Sequence, residues 1–123
     1  MGAHSFPKAE RLVRKKTIEE LFQKGSSFSV FPLKILYQYQ GEPGTSHQVL
    51  VTVPARTFRK ATDRNTLKRR IREGYRLNKG LLTTSTRFSV AYIYTAREIL
   101  PSSTIHQAIQ SSLQRLNRYE KKD

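Results

Sequence analysis

The sequence predicts an α+β domain: a small two-layer sandwich in the order α-β-β-α-β-α, with helices packed on one sheet. Three observations support it. Helical segments repeat apolar residues at about 3.6-residue spacing. Other segments are rich in aromatic and β-branched residues with a period of two. The two kinds follow one another along the chain, separated by Gly and Pro. The 123 residues fit one domain spanning 1–123, with about 1–10 and 119–123 loosely ordered.

Each element has its own signal. The opening "SFPKAERLVRKK" is basic and holds an early proline, so it reads as extended. In "TIEELFQKG", Thr17 and Glu20 form a capping-box pattern, Ile18, Leu21 and Phe22 share a face, and Gly25 is a stop. "SFSVFPLKILYQYQ" predicts a strand from about Ser27 to Tyr39, with Pro32 at an edge or bulge because it lacks an N–H. "GEPGTS" is a turn cluster, and "HQVLVTVP" a second strand ended by Pro54. These neighbouring strands suggest an antiparallel hairpin. Residues 61–80 form a helix of about 17 residues with Asp63 at its N-cap. "RFSVAYIYTA" is a third strand. The last helix carries Ile105, Ile109, Leu113 and Leu116 as its apolar stripe, with Ser102 or Ser103 as its cap. The second strand, the 61–80 helix and the third strand make a β-α-β unit, for which general chirality favours a right-handed crossover.

Charge narrows the function. Lys and Arg number 23 against nine Asp and Glu, a formal net charge of +14. Such a chain repels itself when compact, so a polyanionic partner is expected. The absence of Cys excludes disulfides and Cys-based zinc sites, and His4, His47 and His106 lack metal-ligand spacing. There is no apolar run of about 18 residues, no signal-peptide core, and no myristoylation pattern, since Phe6 stands where Ser or Thr is required. A soluble cytoplasmic protein without membrane or small-molecule partners is expected. No catalytic residue is assigned either. The acidic residues are spread thinly, Glu19 and Glu20 sit in a helix, and no Ser/His/Asp set, glycine-rich phosphate loop or HExxH occurs. A metal-dependent nuclease needs carboxylates converging on divalent ions, which this pattern does not offer.

The 61–80 helix is sorted by angle. Leu67, Ile71, Gly74 and Tyr75 form a stripe for burial, with Arg64 at its border. Lys68, Lys79, Arg72, Arg76 and Arg69 follow in angular order, with Asn65 among them, over an arc of about 140° counted from Arg64. Arg70 falls outside, near Glu73. Arg64, Lys68, Arg72 and Arg76 make successive like-charge i, i+4 pairs, which cost stability unless an anion offsets them. Phosphates do so, and the Arg fork matches their geometry. Phe22, Phe28, Phe31, Tyr37, Tyr39, Phe88, Tyr92 and Tyr94 lie on or beside the predicted sheet. A basic groove lined by rings holds single-stranded nucleic acid, but alternation alone does not say which rings are exposed.

"DRNTLKRRIRE" resembles the RNR signature of the bacterial ribonuclease P protein family, at Arg64, Asn65, Lys68, Arg69, Arg72 and Glu73. "FPKAERL" and "ELFQKG" are similar to its N-terminal pattern, at Phe6, Lys8, Arg11, Leu12, Phe22 and Gly25, and "VLVTVPAR" to its strand before the basic helix. The resemblance spans roughly residues 6–118. It implies a non-catalytic protein cofactor of an RNA enzyme that cleaves precursor tRNA with divalent metal ions. Its partners are then ribonuclease P RNA and precursor tRNA with its 5′ leader. It implies Mg2+ supplied through the RNA, and a left-handed β-α-β crossover against the general rule. The RNA-binding residues expected are Arg64, Asn65, Lys68, Arg69, Arg72, Arg76, Arg11, Arg59 and Lys60, with Phe22 and Tyr37 as leader-stacking candidates. The chain departs from many relatives in having Ala55-Arg56 for a Lys-Lys pair and Ile18 for an aromatic. A structural RNA-binding protein of ribosomal type is the alternative that charge and size allow.

Overall fold

The computed structural model describes residues 8–40 and 46–119. A 3-10 turn at Lys8–Glu10 precedes α1 (Lys15–Lys24), β1 (Ser26–Val30), β2 (Leu33–Tyr39), β3 (Gln48–Thr52) and α2 (Ala61–Asn78). A second 3-10 turn at Lys79–Leu81, β4 (Phe88–Tyr94) and α3 (Ser102–Asn117) complete the chain. Of the ends expected to be loosely ordered, 1–7 and 120–123 lie outside the described residues, as does most of the 41–46 turn cluster. Lys8–Glu10 is instead helical, and Tyr119 packs against the main core.

The single strand expected over Ser27–Tyr39 is two strands. Pro32 cannot donate to a ladder. It stands in the two-residue turn between β1 and β2, after a cis Phe31–Pro32 peptide. Its carbonyl accepts the Thr95 backbone N–H at 2.8 Å and the Thr95 hydroxyl at 3.0 Å. β1 and β2 are antiparallel, with Phe28 opposite Ile35.

The hairpin expected between β2 and β3 does not form. The sheet order is β1-β2-β4-β3, so β4 lies between them, antiparallel to β2 and parallel to β3. The reason lies in β4 itself. Phe88, Val90, Tyr92 and Tyr94 line one face, and Ala91 and Ile93 the other. A strand apolar on both faces belongs at the centre of a sheet, with both edges hydrogen-bonded. The β-α-β unit of β3, α2 and β4 is present as expected.

Alternation sorts the two faces. Ile35, Val49, Val51, Phe88, Val90, Tyr92 and Tyr94 meet Leu67, Ile71 and Tyr75 of α2 and Ile105, Ile109, Leu113 and Leu116 of α3. Burying each large apolar side chain contributes about 1.5–3 kcal/mol. Leu36 and Ala91, on the other face, pack with Leu12 and Leu21, with Ile18, Leu50 and Ile93 partly covered. Thus α1 adds a partial layer opposite α2 and α3.

The helix starts differ from expectation. α1 begins two residues before Thr17, without a side-chain cap, and Glu20 accepts a hydrogen bond from Gln38 Nε2 at 3.0 Å. Gly25 does end α1: its N–H reaches the Leu21 carbonyl at 2.9 Å, and a Cβ there would run into Leu21. Lys60, not Asp63, occupies the N-cap position of α2. Asp63 sits inside the first turn, where its charge still favours the positive helix end. Pro101 precedes α3, and neither Ser102 nor Ser103 caps it.

Candidate nucleic-acid interface

Burial of Leu67, Ile71, Gly74 and Tyr75 fixes the rotation of α2 about its axis. The opposite side therefore faces outward. Asn65, Arg69 and Arg72 are exposed, and Lys68 is half-buried beside them. This is part of the basic arc expected from helical spacing; Arg76 and Lys79, also expected in it, are paired with Glu73 and Glu10.

Three members of the helix are committed within the protein. Arg64 Nη1 donates to the Phe58 carbonyl at 2.8 Å and the Arg59 carbonyl at 2.9 Å. Arg76 pairs with Glu73: its Nε lies 3.2 Å from Oε2, and Nη2 meets Oε1. The hydrogen bond from Arg76 holds the Glu73 carboxyl below the usual carboxylate range. Arg70 turns away from the arc and donates to the Leu100 carbonyl at 2.7 Å.

The arc is flanked on two sides. Before α2, the Thr57 and Phe58 N–H groups both donate to the Pro54 carbonyl, at 3.2 and 3.1 Å. Phe58 is buried against Tyr94, with ring centroids 5.7 Å apart. The resulting loop presents Arg56, Arg59 and Lys60 to solvent beside the α2 N-terminus. On the second flank, Glu10 pairs with Lys79 at 2.9 and 3.0 Å, both side chains being mostly buried. This joins the N-terminal segment to the end of α2. The Leu12 N–H then bonds to the Val49 carbonyl at 2.9 Å, and Arg11 forms a parallel bridge with Val49. The segment lies along the outer edge of β3. There, Arg11 and Arg72 line a cavity of about 290 Å³ together with Val13, Leu50 and Val51. Two cations from distant parts of the chain thus share one cavity with aliphatic side chains, an arrangement suited to a phosphate and the base attached to it.

Phe22 and Tyr37 do not come together. Phe22 belongs to α1, on the face opposite α2 and α3, and is 48% exposed. Tyr37 alternates with Ile35 and points to the α3 side. Its ring stacks on Tyr119 at 5.0 Å and 10°, and meets Phe88 edge-on at 6.0 Å. Burial raises its hydroxyl pKa. The β4 rings are all buried on that same side. Only Phe22 of the pair is available on the α1 side.

Sequence reasoning missed three features of the structure. They are the Glu10–Lys79 pair, the bond from Arg64 to the preceding loop, and Arg115. The Arg115 guanidinium lies 4.4 Å above the Phe28 ring, and its Nε donates to the Tyr119 hydroxyl at 2.9 Å. The Glu10–Lys79 and Arg115–Phe28 contacts join residues far apart in the chain, so no spacing rule announces them. Among the described residues, no group of three His, Asp or Glu is placed to hold a metal ion, and no helix is long and apolar enough to cross a membrane.

Comparison with known proteins places this surface in context. The family model for ribonuclease P matches residues 6–117, which include the whole of α2 and both flanks. The chain belongs to the ribonuclease P protein family. The ribonuclease P protein component of Porphyromonas gingivalis is 35% identical over 115 residues, covering 89% of this chain and 84% of the relative. The solved ribonuclease P protein of Thermotoga maritima superposes with a TM-score of 0.72 at 26% identity, over 86% of this chain and 96% of that one. The Staphylococcus aureus ribonuclease P protein has the same fold, with a TM-score of 0.72 at 19% identity over 89% and 96% of the two chains. Family membership decides between the two readings that charge and size left open, against a ribosomal type.

Proposed function

We propose that the protein binds ribonuclease P RNA through the outward face of α2 and its flanks, and holds the single-stranded 5′ leader of precursor tRNA beside that face. The observation that carries this reading is the outward face of Asn65, Arg69 and Arg72 on α2, with the exposed Arg59 and Lys60 just before the helix and Arg11 beside Arg72 at one cavity. Ribonuclease P matures the 5′ end of tRNA, and its RNA subunit does the chemistry. The polypeptide supplies charge and positioning, while Mg2+ enters through the RNA. The work is done in the cytoplasm. Arg64 and Arg76 support the surface from within their internal bonds. Phe22 is the ring offered to a leader base, with the cavity between Arg11 and Arg72 taking a neighbouring nucleotide.

The test is cleavage of precursor tRNA by the RNA subunit in trans, with and without this protein. The protein alone is expected to cleave nothing. With the RNA, it should raise cleavage most at low magnesium. The gain should shrink when the leader is cut to one or two nucleotides, because contacts along the leader are then lost. Cleavage by the purified protein without RNA, or no gain at any magnesium concentration, overturns the proposal.

A further inference from the structure

We propose that Arg64 is a positioning residue: it holds the β3–α2 loop so that Arg59 and Lys60 meet RNA phosphates as a fixed pair, and makes no phosphate contact of its own. The inference rests on the reading of the α2 face as the RNA-binding surface.

Like charges repel along this stretch. Arg56, Arg59, Lys60 and Arg64 crowd the N-terminus of α2, which already carries the positive end of the helix dipole. Asp63 is the one acidic side chain in the first turn of the helix. A loop under such repulsion spreads unless something ties it. Pro54 ties its start, through the N–H groups of Thr57 and Phe58. The Phe58 ring anchors its middle in the core. Its last part is tied by Arg64, one nitrogen of which bridges the carbonyls of two consecutive residues, Phe58 and Arg59.

That bridge has two consequences. It places the Arg64 charge against carbonyl oxygens, which soak up part of the repulsion. It also fixes the backbone at Arg59, immediately before Lys60 at the helix N-cap. The exposed side chains of Arg59 and Lys60 then leave a rigid base, and ordering them on RNA costs less entropy than from a mobile loop. Arg64 itself is half-buried, with its guanidinium aimed back at the loop.

A double-mutant cycle separates positioning from contact. Affinity for ribonuclease P RNA is measured against salt for the full chain and for Arg64→Ala, Arg59→Ala/Lys60→Ala and the triple variant. Each lost phosphate contact should lower the salt slope by about 0.7. The Arg59→Ala/Lys60→Ala variant should lose about 1.4 units of slope. Arg64→Ala should lose more than one contact's worth in the native background and change affinity less than twofold in the Arg59→Ala/Lys60→Ala background. In the free Arg64→Ala protein, amide exchange at Thr57 and Phe58 should quicken at least about tenfold, while Leu67 and Ile71 are unchanged. Arg64→Met, which keeps the apolar stem without the donor, serves if the alanine variant loosens the whole domain. An equal loss in both backgrounds, unchanged exchange at Thr57 and Phe58, or native affinity in Arg59→Ala/Lys60→Ala overturns the inference. Arg69→Ala and Arg72→Ala are measured alongside: native affinity in both would mean that the surface reading has failed, a result separate from the fate of Arg64.

Discussion

Arg70 donates to the Leu100 carbonyl at 2.7 Å, while the adjacent Arg69 stands in solvent. One residue of helix turns the first toward α3 and the second toward the basic arc. The two arginines carry the same charge but are expected to fail in different assays. Arg70→Ala leaves a carbonyl without its charged donor and should cost about 1–2 kcal/mol of stability. Its salt slope for RNA binding should stay native. Arg69→Ala should leave the melting temperature nearly unchanged and reduce the slope by about 0.7. Thermal denaturation and salt-dependent RNA binding check the pair. Equal losses of affinity and slope would mean that α2 acts as a diffuse charge cloud.

Phe22 and Tyr37 make a second contrast. Phe22 is exposed on α1, so Phe22→Ala should change stability by no more than about 0.5 kcal/mol. It should weaken binding of precursor tRNA with a long leader by about 1 kcal/mol or more, and leave binding of a trimmed substrate alone. Tyr37 is packed among Phe28, Phe88 and Tyr119. Tyr37→Ala should cost about 2–4 kcal/mol of stability. Its effect on the two substrates should be the same once both are measured below the melting transition. A leader-specific defect in Tyr37→Ala with native stability would reverse the assignment of the two rings.

His47 predicts an acid limit. Its Nδ1 accepts the Phe88 N–H at 3.1 Å, and its ring stacks on Phe88 at 6.0 Å. Protonation would remove that acceptor. Burial, with Arg87 nearby as the second cause, pushes the imidazole down to about 4. The unfolded chain takes up the proton near the ordinary His value of about 6.5. Between these two values the unfolded state binds more protons, so stability rises with pH. The contribution is complete above about 6.5 and is lost as pH falls toward about 4. Because the ring keeps some contact with water, about 1–2 kcal/mol is expected, less than the full shift implies. Denaturant unfolding across that pH range should show the slope, and His47→Gln should flatten it. An unchanged slope in the variant would assign the acid sensitivity to another group.

At Gly74, α2 lies close against α3. A Cβ there would lie 2.6 Å from Ile109 Cδ1 and 2.8 Å from His106 Cδ2. Ile109 is fully buried, and His106 Nε2 lies 3.2 Å from the Arg70 carbonyl, so neither yields freely. Alanine favours helix by up to about 1 kcal/mol over glycine, yet overpacking costs about 1–3 kcal/mol. Gly74→Ala should therefore lower the melting temperature. A rise would mean that the two helices separate at little cost.

Much of this protein was legible from local spacing. Leu67, Ile71, Gly74 and Tyr75 repeat at the helical period, so their burial and the outward direction of Arg69 and Arg72 followed directly. The same rule set Arg70 apart from the arc. Phe88, Val90, Tyr92 and Tyr94 share a parity, so their common face was equally plain. The RNR residues carried the family. The break of the first strand at Pro32 was half legible, since the missing N–H was evident but not the turn it required.

Sequence alone thus determined most of the elements, though not their exact bounds, together with the rotation of α2 and the family, because these rest on local patterns of residues. Tertiary structure decided the rest. It put β4 between β2 and β3, packed Tyr37 against the main core and left Phe22 outside. It joined Glu10 to Lys79, and brought Arg11 beside Arg72 at one cavity. Strand order and such pairings depend on which buried faces fit together across the whole domain. Hydrophobic burial acts on total covered area and has no preference for neighbours in the chain, so no local pattern encodes its outcome.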